Sequence, residues 1–71
     1  MTRKQQDAKF NKRMEIARGW FSKGFDADTI ADGVWNKFGL PVEAISETEI
    51  RVSRQIKIGS SRSTIVIVSL V

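Results

Sequence analysis

The chain has 71 residues, a formal net charge of +4, no cysteine and no histidine. A chain of that length makes one small domain with a thin core, burying only about 60% of the surface it would expose unfolded. The missing residue types exclude disulfides, thiolate metal sites, the usual zinc ligand and the usual general base, so support must come from packing or from a second subunit.

From about Gln6 to Lys23, Phe10, Met14, Ala17 and Phe21 recur at i, i+4, i+7 and i+11, which is one face of a helix. Ile16 and Trp20 widen that stripe, while Lys9, Lys12 and Lys23 share the far side. Gly24 suits a left-handed end to the helix, and Phe25 is expected to plug the corner that follows. A second helix is predicted over 27–38. Asp26 caps it, Asp28 compensates its dipole, and Ala27, Ala31, Val34, Trp35 and Phe38 mark its inner face. Gly39 and Pro41 stop it. Gly33 in its middle costs about 1 kcal/mol against alanine, unless another element approaches closely there.

The stretch 42–46 reads either as a short extended piece or as one helical turn. From Thr48 the period changes from 3.6 to 2, with Ile50, Val52, Ile56 and Ile58 on one face and Arg51, Ser53, Gln55 and Lys57 on the other. Arg54 alone breaks the apolar side. Gly59-Ser60-Ser61 is turn chemistry, and 64–71 is a β-branched run, apolar on both faces. The expected fold is α+β: two helices, about 6–23 and 27–38, packed on an antiparallel hairpin of about 48–58 and 62–70, in one basic domain over 1–71.

Ser46-Glu47-Thr48-Glu49 also fits a capping box, which would turn 46–55 into a third helix. The run from Gly24 to Ala31 resembles the opening of the second helix in phage-repressor helix-turn-helix domains, and Gly39-Leu40-Pro41-Val42 resembles the turn before their recognition helix. Seven residues separate Ala31 from Gly39, about one helical turn more than that family shows. The resemblance implies DNA binding and transcription regulation. With the third helix it gives a winged helix-turn-helix as the alternative fold.

Charge is distributed in blocks. Residues 1–24 carry seven basic side chains against two acidic, residues 25–50 one against six, and residues 51–71 four against none. Arg51, Ser53, Gln55 and Lys57, with Arg62 across the turn, therefore read as a nucleic-acid-binding ribbon. Arg and Gln match guanine and adenine edges in the major groove. Lys9, Lys12 and Lys23 read as secondary phosphate contacts. The bland reading of both sets is solvated surface. Asp28 and Asp32 stand at i, i+4, which could hold a cation, but dipole compensation accounts for them more simply. No base is identifiable for Ser60, Ser61 or Ser63, so no catalytic residue, cofactor or metal is expected, and the chain is read as a non-enzyme.

The terminal strand, apolar on both faces, predicts association through Ile65, Ile67, Leu70 and Val71, as a homodimer or with another protein. Double-stranded DNA is the expected partner. The alternative function is a protein-interaction module or inhibitor that docks through this strand. No apolar run approaches the roughly 20 residues of a membrane span, and the expected location is cytoplasmic.

Overall fold

The computed structural model of the protein describes residues 2–71, Ile58 by its backbone alone. Two helices precede a three-stranded antiparallel sheet: α1 (Arg3–Ser22), α2 (Ala27–Phe38), β1 (Val42–Ala44), β2 (Glu49–Ile58) and β3 (Ser60–Ser69), with strand order β1-β2-β3. The α+β expectation and its hairpin therefore hold. No third helix forms among the described residues, so the winged helix-turn-helix alternative does not.

Helix α1 begins earlier than its apolar stripe because Thr2 and Gln5 form a capping box. The Thr2 hydroxyl accepts from the Gln5 amide, and the Gln5 side chain accepts from the Thr2 amide. Helix α2 is capped by Asp26, whose carboxylate accepts from the Thr29 amide at 2.8 Å, and ends on Gly39 in the left-handed region. Those bonds to Thr29 hold the Asp26 carboxyl below its ordinary pKa.

The core lies where Phe10, Met14 and Ala17 of α1 and Ala27, Ile30 and Val34 of α2 meet Ile50 and Val52 of β2, Val68 of β3 and Leu70 just beyond it. Gly33 of α2 leaves room for the Trp20 ring of α1. A Cβ there would stand 3.0 Å from the Trp20 ring, which in turn stacks on Phe38 with centroids 6.3 Å apart. Trp35, expected on the buried stripe of α2, is more than half exposed. It sits about a quarter-turn round the helix from the buried residues. Phe25 is half exposed and does not fill the corner.

The ambiguous stretch 42–46 resolves into β1, paired Val42 to Val52 and Ala44 to Ile50. Ser46 and Glu49 do interact, as their capping-box spacing suggested, but across a turn. The Ser46 hydroxyl donates to the Glu49 carboxylate at 3.3 Å and accepts from the Thr48 amide. The same local chemistry serves the short connection from β1 to β2 because β1 offers Glu49 a ladder: the Ile45 amide donates to its carbonyl.

Helix α1 ties down both sides of the sheet. At its start, the Gln6 side-chain amide donates to the Lys57 carbonyl and accepts from the Lys57 amide, both at 3.0 Å, standing in for an absent neighbouring strand. Near its end, the Arg18 guanidinium donates to the Ser69 carbonyl at 2.9 Å.

Candidate nucleic-acid interface

Pairing register fixes which side chains share a face, because residues directly opposite in a ladder project to the same side. Arg51 stands opposite Ile67, Ser53 opposite Ile65, Gln55 opposite Ser63 and Lys57 opposite Ser61. These make the bare outer face of the sheet. Ile50, Val52, Arg54 and Ile56 face the helices, opposite Val68, Val66, Thr64 and Arg62. Arg62 thus projects from the helix side, not with Arg51 and Lys57 as expected. The expected inward place of the Ile58 side chain lies outside the described residues.

Two arginines of β2, the expected contact Arg51 and the inward-facing Arg54, are engaged by neighbours. Arg51 is ion-paired to Glu43, which β1 places directly opposite it. Arg54, the one break in the apolar stripe, is held under α1. Its side chain is only 11% exposed, its guanidinium lies 4.5 Å from the Phe10 ring centre, and it meets the Asp7 carboxylate at 2.9 Å. Asp7 also receives Arg3 at 3.2 Å. Burial pushes the Asp7 carboxyl up, but the two guanidiniums outweigh it and leave its pKa lowered.

What remains converges at the open edge of β2. Strand β1 covers β2 only as far as Ser53, whose amide donates to the Pro41 carbonyl. Beyond it opens a cleft of about 310 Å³ lined by Gln6, Lys9, Phe10, Arg13, Leu40, Arg54, Gln55 and Lys57. No carboxylate is among those lining residues. Main-chain hydrogen bonds alternate along β2: Ser53 and Lys57 direct theirs to this edge, so Gln55 between them does too. Among the described residues no partner meets the Gln55 amide there. Lys9, Gln55 and Lys57 were singled out in the sequence. Arg13 was not, because it lies on the shoulder of the apolar stripe, where its guanidinium stacks 5.3 Å from the centre of the Phe38 ring.

The other expected contacts do not join this cleft. Lys12 and Lys23 are exposed elsewhere on α1 and just after it, Ser53 is half-buried under the β1 side, and Arg62 is exposed near the hairpin turn. Of the expected association residues, Ile65 (63% exposed), Ile67 (51%) and Val71 face solvent. Leu70 is 3% exposed within the core and is not presented to a partner. No helix among the described residues is long and apolar enough to cross a membrane.

Comparison with protein-family models, with curated proteins and with solved structures finds no match to this chain, so the cleft's own chemistry carries the functional reading.

Proposed function

We propose that this protein binds nucleic acid by seating one sugar–phosphate strand along the cleft between α1 and the open edge of β2. The observation that carries this reading is the meeting of Lys9, Arg13 and Lys57 around a cleft with no acidic lining residue, beside an outward-facing main-chain amide at Gln55. Lys and Arg neutralise phosphates and release counterions, and main-chain amides add directed hydrogen bonds without reading bases. Contact of this kind tolerates base sequence. It replaces the groove-reading ribbon, since Arg51 is engaged by Glu43 and Arg62 stands on the other face. Transcription regulation would follow only if the duplex so held were an operator, and nothing in the cleft reads one.

A salt titration of binding to a short fluorescent DNA duplex tests the proposal. With three to four phosphates engaged, affinity should fall about 40- to 150-fold between 50 and 200 mM salt. Lys57→Glu or Lys9→Glu should flatten that slope, while Lys23→Glu should leave it nearly unchanged. Absence of binding at low salt defeats the reading.

A second reading rests on a separate observation, the exposure of Ile65 and Ile67 on the outer face of the last strand. In that reading the strand docks on another protein. Capture lost on Ile65→Lys, with duplex binding intact, would favour it.

A further inference from the structure

We infer that the free edge of β3 pairs with the same edge of a second copy, in antiparallel register about a two-fold axis through Thr64. Edge strands with unpaired amides and carbonyls invite association, and proteins that stay monomeric blunt them. Two of the open edges here are blunted: β1 is three residues long, and the end of β2 is closed by the Gln6 side chain. Among the described residues, the β3 edge is closed at Ser69 alone, by Arg18.

The Leu70 amide donates to Thr48, and the even-numbered residues of β3 continue that ladder with β2. The odd-numbered residues Ser61, Ser63, Ile65 and Ile67 therefore turn their main-chain groups outward. None of the four is charged or proline, and among the described residues none of their main-chain groups has a partner on that side.

The occupant follows from symmetry. An axis at Thr64 sets Ser63 against Ile65 of the second copy and Ser61 against Ile67. Every outward donor and acceptor of the four residues is then used, and pairing stops where Arg18 closes the strand. Shifting the axis by one residue either way leaves one of the four unpaired. No like charges meet in this register, because Arg62 faces Val66 of the second copy. The isoleucines of both copies join into one apolar patch on the outer face. The two basic clefts stay open at the far edges of the resulting six-stranded sheet, so this inference does not depend on the nucleic-acid reading.

Two measurements test it. Sedimentation equilibrium should give a dimer, and Ser63→Pro should weaken it about tenfold or more. That change removes an outward amide from each copy without touching the β2–β3 ladder. Second, the chain lacks cysteine, so single thiols report register directly. Thr64 on the axis forms a non-hydrogen-bonded pair with its copy, with Cα atoms about 4.5–5.5 Å apart, within disulfide range. Thr64→Cys should therefore crosslink on mild oxidation. Ser61→Cys, whose copies lie several residues apart, should not. A monomer at the highest soluble concentration, or equal crosslinking of the two cysteine variants, overturns the inference. The cysteine pair decides the matter if Ser63→Pro fails to fold.

Discussion

The two halves of the hairpin are built from the same strands but do different work. In the half near Glu49 and Ser69, Ile50, Val52, Val68 and Leu70 are buried against both helices, and β1 widens the sheet and engages Arg51 through Glu43. In the half near Gly59, the ladder is two-stranded, residues 60–64 are all exposed, and α1 reaches it through Gln6, Asp7 and Phe10. Burial and charge pairing go together: where β1 and the helices cover the hairpin, its cations are matched, and where they stop, Lys57 is left at a cleft. The stability of the molecule sits at one end and its proposed contact surface at the other.

That division predicts a graded set of mutational effects. The largest is Ile50→Ala, which empties a fully buried site and should cost about 2–5 kcal/mol in urea unfolding. Ile65→Ala on the outer face should cost under about 0.5 kcal/mol. Similar costs at the two sites would erase the contrast. Next is Arg54→Ala, which strips the packing over Phe10 and leaves Asp7 paired with Arg3 alone. It should cost about 1–2 kcal/mol, with Arg54→Met recovering most of it.

Asp7 has a folded pKa below its unfolded value of about 3.9. Its stabilising contribution is therefore present above that unfolded value and disappears as pH falls through the lowered one. Asp7→Asn should flatten the acid limb of a stability–pH curve below about pH 4 and leave its neutral shape unchanged. The smallest effect is expected at Glu43→Gln. It frees Arg51 on an exposed surface, so stability should change by less than about 1 kcal/mol and duplex affinity hardly at all. A marked gain in affinity would move the contact surface to the outer face of the sheet.

The helices were legible because their stripes are long and their caps are local. Phe10 to Phe21 repeats over three turns, and Asp26 and Gly39 act on their immediate neighbours. The hairpin was legible from the change of period at Thr48. Strand β1 was not, since three residues cannot display an alternation, and Ser46 with Glu49 carries chemistry common to helix starts and turns. Leu70 and Arg62 were misplaced for a different reason. A run that is apolar on both faces has no phase of its own, and only pairing with β2 decides which side each residue takes. The cleft depends on tertiary placement. Arg13 and Lys57 are brought together by helix docking, which leaves no trace in spacing along the chain.

The two ties made by α1 to the sheet, Gln6 to Lys57 and Arg18 to Ser69, each join residues 51 positions apart. During synthesis the first helix must therefore wait for the last strand. Until β2 is made, its apolar stripe has only α2 to rest on, and until position 69 is free the Arg18 tie stays open. A chain cut before β3 should keep its helical circular dichroism but exchange the amide protons of α1 rapidly. The time between making the first helix and docking it is when this molecule is most open to aggregation or to a chaperone.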